Sequence, residues 1–196
     1  MTADEIAAWR RARRAELVAA RLALTPEHHR QLSDTVRQHL ATYLEQLAPV
    51  RALGFYWPFR GEVDVRPVVQ ALIAGGAHAA LPVVIQRDGV LAFRAWRSGE
   101  RMAKDVHGIP CPADGAPVAP DILLVPLVGF DDRFFRLGYG GGYYDRTLGA
   151  LAPRPQSVGI GFELGCLPSI HPAPHDIALD AIVTERGARR RDKPAP

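Results

Sequence analysis

The pattern of apolar and polar positions predicts a chain in which helices and buried strands alternate. Two long amphipathic segments come first, over residues 3–24 and 26–47, and Thr25 and Pro26 between them are a typical N-cap and first helical residue. Short apolar runs predict strands, which are expected at residues 51–57, 78–84, 91–96, 121–128, 157–162 and 179–184. Pro126 lacks a backbone N–H, so we expect the fourth of these strands to be disrupted there.

The connections between these strands predict how they pair. Asp88-Gly89, between the second and third strands, is typical of a hairpin. Helices are expected over residues 65–74 and 143–150. Residues 99–120 are rich in proline and glycine and predict a long connection with little regular structure. Strands that alternate with helices predict an α/β fold with an open, mainly parallel sheet and helices on both faces.

The composition is that of an ordinary globular domain, with 196 residues of which 47% are hydrophobic and 23% charged. We predict a single domain over residues 1–187 and a frayed polar tail over residues 188–196. No apolar run approaches the roughly 20 residues that a membrane span needs, and the N-terminus lacks a secretory signal. A cytoplasmic protein is therefore expected. Cys111 and Cys166 have no metal-binding or redox spacing and are expected to be free thiols.

A net charge of +3 favours anionic partners such as nucleotide phosphates or polyglutamates, and it leaves nucleic acid open. In the first predicted helix, Arg10, Arg14 and Arg21 fall within roughly 40° of one another. Ile6 and Leu17 lie beside this basic stripe, whereas a solvated basic face normally lies opposite the apolar one. Some of these arginines are therefore expected to face protein or ligand, and a solvated basic face is the alternative.

The segment 136–146 combines a glycine-rich loop with charged and aromatic residues. Its glycines are Gly138, Gly140, Gly141 and Gly142. They lie between an apolar run and a helix start, an arrangement that directs backbone N–H groups at an anion. Arg136 and Arg146 flank the loop and can pair with phosphate. Asp145 would repel a phosphate unless a divalent cation such as Mg²⁺ lay between them; the alternative is a simple turn in which Asp145 favours the helix start.

Three further positions carry candidate chemistry. Glu62 stands where a strand gives way to a helix, and ligands of α/β sheets bind at the carboxyl ends of strands. A carboxylate in a first helical turn is the alternative for Glu62, and a core position is the alternative for Trp57. His171, His175 and Asp176 are metal-ligand types, but the prolines among them exclude a helical spacing. We predict that they lie in a surface loop.

The stretch from Arg136 to Asp145, read as R-L-G-x-G-x-G-Y-Y-D, resembles the signature of the 5-formyltetrahydrofolate cyclo-ligase family, also called methenyltetrahydrofolate synthetases. The resemblance covers nearly the whole chain. Its other matching segments are residues 23–27, 61–64 and 124–131. The fold that it implies is a three-layer α/β/α sandwich similar to those of ribose-5-phosphate isomerase and glucosamine-6-phosphate deaminase.

The resemblance also implies roles for individual residues. It implies ATP contacts from Arg10, Arg14, Arg136, Leu137, Gly138, Tyr139, Gly140, Gly141, Gly142, Tyr143 and Tyr144. It implies folate contacts from Trp57, Glu62 and Tyr143, and magnesium ligands at Asp145 and Asp180. No covalent nucleophile is implied, and Glu62, Arg136 and Tyr143 would position the reacting groups. Many members have lysine where this chain has Arg10 and Gly141.

The reaction implied is the ATP-dependent conversion of 5-formyltetrahydrofolate, with or without a polyglutamate tail, to 5,10-methenyltetrahydrofolate. ADP and phosphate are the other products, ATP and Mg²⁺ are the cofactors, and a monomer without nucleic-acid or membrane partners is expected. Two alternatives stay open. One is a nucleotide- or nucleic-acid-binding module of the same fold without ligase activity. The other is a sugar-phosphate isomerase or deaminase, which would need a carboxylate or lysine in the site; the chain has only Lys104 and Lys193.

Overall fold

The computed structural model describes residues 1–47 and 49–192, and its helices enclose one seven-stranded sheet. The helices are α1 (Ala3–Leu22), α2 (Pro26–Glu45), α3 (Arg66–Ala74) and α4 (Tyr143–Ala150). The strands are β1 (Ala52–Gly54), β2 (His78–Val84), β3 (Leu91–Ala95), β4 (Met102–Lys104), β5 (Pro110–Pro112), β6 (Ile122–Pro126), β7 (Gly129–Phe130), β8 (Arg136–Leu137), β9 (Gln156–Ile160), β10 (Ala181–Thr184) and β11 (Gly187–Arg190). No helix of the described residues has the length and apolar character that a bilayer span requires.

The sheet has the strand order β11-β10-β9-β6-β1-β2-β3. Its five inner strands run parallel, and β3 and β11 pair antiparallel at the two edges. The predicted hairpin joins β2 to β3, and Asp88 adopts the left-handed conformation there (φ 59°). The prediction of a mainly parallel sheet is confirmed.

Both faces of the sheet are covered by helices, as predicted. On one face, α2 and α3 contribute Val36, Leu40 and Val69 to a core that includes Leu124 of β6. On the other face, α4 contributes Leu148, which lies in a second core cluster with the β6 neighbours of Leu124. Successive β6 side chains therefore point to opposite faces, and the continuous apolar run of this strand reflects burial on both sides.

Three segments differ from the sequence-based expectation. The strand expected over 51–57 ends at Gly54, because the chain beyond Phe55 leaves the sheet. The long connection 99–120 contains the hairpin β4–β5. Residues 188–190, expected to be frayed, form β11 together with Gly187, because they satisfy the open edge of β10. The last four residues of the predicted tail, 193–196, lie outside the described residues.

Candidate functional site

A cavity of about 620 Å³ opens at the carboxyl ends of the parallel strands. Val84 and Pro126 end β2 and β6, Trp57 lies shortly beyond β1, and all three line this cavity. Pro126 is also the last residue of β6, so the predicted disruption coincides with the end of the strand. The location is the one at which open α/β sheets bind ligands.

The glycine loop forms one wall of the cavity between β8 and α4. Gly140 and Gly142 have φ values of 98° and 64°, in the left-handed region that side chains oppose. Gly142 is the N-cap of α4. Arg14 Nε donates a hydrogen bond to the carbonyl oxygen of Gly138 at 2.7 Å, which ties α1 to this loop. The loop thus offers bare backbone beside a helix start, which is suited to an anion.

Two arginines beside the loop are paired with carboxylates that line the same cavity. Arg136 Nη2 lies 2.8 Å from Asp145 Oδ1, and the Arg136 side chain is only 5% exposed. Arg10 makes a two-pronged contact with Asp176, at 3.0 and 3.3 Å. Arg10 Nε nevertheless has no hydrogen-bond partner among the described residues. Burial lowers the pKa of Arg136, and the nearby Asp145 opposes that shift.

Glu62 is held by a tight turn on the other side of the cavity. Arg60 and Gly61 both have left-handed φ values, 47° and 71°. Phe59 N donates to Glu62 Oε2 at 2.9 Å, whereas Oε1 is buried without a partner. Burial raises the pKa of Glu62 from 4.5 to about 7, and the Phe59 N–H and the charge of Arg21 oppose the shift. A buried carboxyl group with one unsatisfied oxygen is suited to accept a hydrogen bond from a ligand.

Aromatic side chains surround Glu62. Trp57 lines the cavity, and the Arg66 guanidinium lies 4.5 Å from its ring centre. Tyr139, Tyr143 and Tyr144 line it from the glycine loop and the start of α4. Burial raises the pKa of Tyr144, and the charge of Glu62 adds to this effect. Flat aromatic walls with one buried carboxyl group suit a planar heterocycle that carries N–H donors.

The cavity brings together most of the residues that the sequence predicts. Those that line it are Trp57, Glu62, Arg10, Arg14, Arg136, Gly138, Tyr139, Gly140, Gly141, Gly142, Tyr143, Tyr144 and Asp145. Leu137 does not line it, because its side chain is fully buried in β8 beneath the loop. Asp180 does not line it either.

Asp180 lies immediately before β10, at the amino ends of the parallel strands, whereas the cavity lies at their carboxyl ends. Its Oδ2 accepts hydrogen bonds from the backbone N and the hydroxyl of Ser157, at 2.9 and 2.8 Å. Arg154 and Arg191 lie 3.4 and 3.7 Å from the carboxylate. These contacts join the amino ends of β9 and β10. The structure therefore separates Asp180 from the cavity, against the prediction that it is a magnesium ligand.

Asp176 is the carboxylate that the sequence-based prediction missed. It was expected in a surface loop, but its side chain is only 7% exposed and lines the cavity with His175. Ala173 N donates to its Oδ2 at 2.7 Å, which fixes the loop. The sequence signal for this loop was its metal-ligand residue types. Helical spacing was the wrong criterion for judging them, because the contact between Asp176 and Arg10 brings the loop to the site. No group of three or more His, Cys, Asp or Glu suited to a metal occurs within residues 1–47 and 49–192.

The hairpin β4–β5 also contributes to the cavity, through Asp105, His107, Ile109 and Pro110. His107 Nε2 lies 3.1 Å from the Tyr143 hydroxyl, so the hairpin tip reaches the glycine loop. Proline and glycine in this segment gave no periodic signal, which is why its approach to the site was not predicted.

A model of the 5-formyltetrahydrofolate cyclo-ligase family matches residues 6–185. The chain is 31% identical over 171 residues to the 5-formyltetrahydrofolate cyclo-ligase of Escherichia coli K12, covering 84% of this chain and 93% of that protein. It is 33% identical over 141 residues to the Haemophilus influenzae enzyme of the same name, covering 69% and 75%. The solved structure of Aquifex aeolicus 5,10-methenyltetrahydrofolate synthetase superposes with a TM-score of 0.81 at 28% identity, over 95% of each chain. This chain therefore belongs to the 5-formyltetrahydrofolate cyclo-ligase family.

Proposed function

We propose that this chain uses ATP to convert 5-formyltetrahydrofolate to 5,10-methenyltetrahydrofolate, with release of ADP and phosphate. One observation carries the proposal beyond family membership: a single cavity joins a basic, glycine-lined wall to an aromatic wall that holds a buried carboxyl group. The first wall suits a polyphosphate and the second suits a reduced pterin. Their presence in one cavity suits a transfer between the two ligands.

The phosphate wall consists of Arg10, Arg14, Arg136 and the glycine loop. Arg10 and Arg136 are paired with carboxylates, and the buried Nε of Arg10 has no hydrogen-bond partner among the described residues. A phosphate oxygen would satisfy this buried N–H group, and hydrogen bonds between charged groups are roughly twice as strong as neutral ones. Arg10 supplies a charge here where many members have lysine.

The reaction needs no protein nucleophile. The formyl oxygen takes the terminal phosphoryl group of ATP, and ADP leaves. The second folate nitrogen then forms a bond to the activated formyl carbon and loses its proton, while phosphate departs with the oxygen. The contribution of the protein is to align the two substrates, stabilise charge and exclude water.

Glu62, Trp57 and Tyr143 would hold the folate. Glu62 Oε1 would accept a hydrogen bond from an N–H group of the ring system, since this oxygen is buried and has no partner of its own. Trp57 and Tyr143 would pack against the rings. Because the pKa of Glu62 is about 7, the carboxyl group exists in both protonation states near neutral pH.

A magnesium ion fits this cavity only together with phosphate. Asp145 Oδ1 is engaged by Arg136 and by the backbone N of Ile177, and Oδ2 accepts no hydrogen bond within residues 1–47 and 49–192. Mg²⁺ is commonly held by one or two carboxylates, with substrate phosphates and water as the other ligands. Asp145 would supply such an oxygen, and Asp176 is the second carboxylate in the cavity wall. The ion would neutralise negative charge on the phosphates.

We also propose a monomer located in the cytoplasm. The cavity wall is assembled from elements of a single chain, and Cys111 and Cys166 are free thiols, which a reducing compartment preserves. Gel filtration of the purified protein tests the oligomeric state.

The activity is tested by incubating the protein with 5-formyltetrahydrofolate and MgATP while following the absorbance of the methenyl product. Product formation that requires both substrates, with one phosphate released per product, supports the proposal. ATP binding without turnover would favour a nucleotide-binding module. Steeply salt-dependent binding of nucleic acid would favour a nucleic-acid-binding module. The isomerase alternative needs a carboxylate or a lysine in the site, and the described cavity wall offers a carboxyl group in Glu62 but no lysine, because Lys104 lies in β4 outside the lining and Lys193 lies outside the described residues. Formation of the methenyl product therefore decides against it.

A further inference from the structure

Arg21 is the one buried residue of α1, with 4% of its surface exposed. The apolar residues of that helix are more exposed than this arginine. Burial of a guanidinium group is unfavourable unless its donors are satisfied. The partners of the Arg21 donors therefore determine how its burial is tolerated.

Each of three nitrogens of Arg21 donates to a different segment of the cavity wall. Nε donates to the carbonyl oxygen of Arg60 at 2.9 Å, in the turn that presents Glu62. Nη1 donates to the carbonyl oxygen of Leu127 at 3.1 Å, immediately after β6. Nη2 donates to the hydroxyl of Tyr139 at 2.7 Å, in the glycine loop. The three oxygens belong to segments that are distant in sequence, and none of them carries a full charge.

The turn before Glu62 depends on this support. Arg60 has a φ of 47°, a conformation that side chains oppose, and Gly61 follows it with a φ of 71°. A Cβ atom on Gly61 would lie 3.6 Å from the Arg21 side chain, so the arginine packs directly against the turn. Tyr139 in turn places its ring 6.0 Å from the ring of Phe59, edge to face. Arg21 thus lies between the glycine loop and the Glu62 turn and bonds to both.

We infer that Arg21 is a positioning residue that fixes the phosphate wall and the folate wall relative to each other. The inference rests on the proposed function for the identity of the two ligands. Arg21 does not line the cavity and would touch neither substrate. Its effect would pass through Tyr139, the Arg60 turn and Glu62.

The titration midpoint of Glu62 can be measured, and a purely structural role of Arg21 would leave it unchanged. The groups that act on its ionisation are the Phe59 N–H, the Arg21 charge and Tyr139, and its burial is the largest effect. Tyr56 and Tyr144 lie near enough for Glu62 to affect their own pKa values. Arg21 favours the ionised carboxylate, so its removal should raise the midpoint of the Glu62 titration further.

The test compares Arg21→Lys and Arg21→Met with the natural protein. Lysine keeps the charge but offers a single nitrogen in place of the planar fork. We expect roughly a tenfold loss of kcat/KM for both substrates in Arg21→Lys, from the lost hydrogen bonds. Arg21→Met should lose roughly a hundredfold and should raise the Glu62 midpoint by about one pH unit. That midpoint is measured by NMR of glutamate carboxyl carbons, without substrates, as the titration that Glu62→Gln abolishes.

Arg154→Met is the matched control. Arg154 also donates to a backbone carbonyl, that of Ala178 at 3.0 Å, but it lies at the other edge of the sheet beside Asp180. The Arg154→Met variant should have a lower melting temperature than the natural protein, with both KM values and the Glu62 midpoint unchanged.

The inference is overturned if Arg21→Lys keeps both KM values and kcat well below its melting temperature, or if Arg21→Met leaves the Glu62 midpoint unchanged. Should Arg21→Met fail to fold, the kinetics of Arg21→Lys decide. If the natural protein makes no methenyl product, the proposed function fails, and the NMR midpoint still tests the action of Arg21 on Glu62.

Discussion

The central sheet has a buried carboxylate at each end of its parallel strands, Asp180 at the amino ends and Glu62 at the carboxyl ends. The surroundings of these two carboxylates differ. At the amino edge, Asp180 accepts hydrogen bonds from the Ser157 backbone and hydroxyl and lies beside Arg154 and Arg191. At the carboxyl ends of the strands, Glu62 accepts a hydrogen bond from Phe59 N, Tyr139 also stabilises its ionised form, and its Oε1 has no hydrogen-bond partner among the described residues. A carboxylate that is surrounded by donors holds strands together. One that is left unsatisfied keeps an oxygen for a ligand, at a cost in stability.

The same contrast extends to the arginines. Among the described residues, two buried side-chain atoms of the cavity wall have no hydrogen-bond partner within reach. These two are Arg10 Nε and Glu62 Oε1. Unsatisfied polar atoms are rare in folded proteins. The position of these two atoms in the cavity wall is suited to ligands that supply the missing partners.

The largest effect is expected when the well-bonded edge is broken. Asp180→Ala leaves the Ser157 N–H without its acceptor and the two nearby arginines without their counter-charge, so the free energy of unfolding should fall by about 3 kcal/mol. Denaturant titration measures the loss. Because Asp180 lies away from the cavity, both KM values should stay unchanged at low temperature. If Asp180→Ala has normal stability but no longer uses MgATP, Asp180 belongs to the functional site.

At the carboxyl edge, Asp145→Asn should impair catalysis and leave the fold intact. The side chain is nearly isosteric, but a hard cation loses a charged oxygen and Arg136 loses its counter-charge. We expect kcat/KM for ATP to fall by roughly a hundredfold, about 2.7 kcal/mol. Steady-state kinetics over a range of Mg²⁺ concentrations measures the effect. Unchanged activity at limiting Mg²⁺ would exclude a metal role for Asp145.

Glu62→Gln should change stability and activity in opposite directions. The pKa of Glu62 is raised from 4.5 to about 7, so the folded state holds the proton more strongly than the unfolded state. The stability from this group is fully present below about pH 4.5 and is lost as the pH rises through about 7. Between about pH 5 and 8 the natural protein should lose about 2.5 kcal/mol that the variant keeps. Unfolding at several pH values measures the difference.

The same Glu62→Gln variant should bind folate less well, because a charged acceptor becomes a neutral amide. We expect the KM for 5-formyltetrahydrofolate to rise roughly tenfold with little change for ATP. If only the KM for ATP moves, Glu62 has been assigned to the wrong ligand.

The smallest effect is expected at Gly141, where many members have lysine. Unlike Gly140 and Gly142, Gly141 is not in the left-handed region, so its backbone accepts a side chain. A Cβ atom there would lie 2.9 Å from the ring of Tyr143, which must move. Gly141→Lys should therefore add a phosphate counter-charge and disturb the folate wall, with a net change of about threefold or less in kcat/KM.

Gly142→Ala is the comparison for that variant. Its left-handed φ of 64° makes any side chain strained, at about 1–2 kcal/mol. Thermal unfolding of both variants should show a loss for Gly142→Ala and little change for Gly141→Lys. Equal losses would mean that the loop backbone is constrained at both positions.

The sequence by itself determined the alternation of elements, the parallel sheet and most of the cavity wall. These depend on local requirements: apolar periodicity for helices and strands, glycine where φ is positive, and the rule that ligands bind at the carboxyl ends of strands. Arg136, the glycine loop and Glu62 each stand next to such a local signal. They could be identified without knowledge of what lies beside them in space.

Only the tertiary structure decided which charges meet. Arg10 and Asp176 are 166 residues apart in the chain, and no spacing rule connects them. Asp180, four residues beyond Asp176, lies at the opposite edge of the sheet, because the connection before β10 crosses from one edge to the other. Arg21 was visible as part of a basic stripe, but its three acceptors come from three separate segments. The partners of a buried charge are set by long-range packing, which a local pattern does not encode.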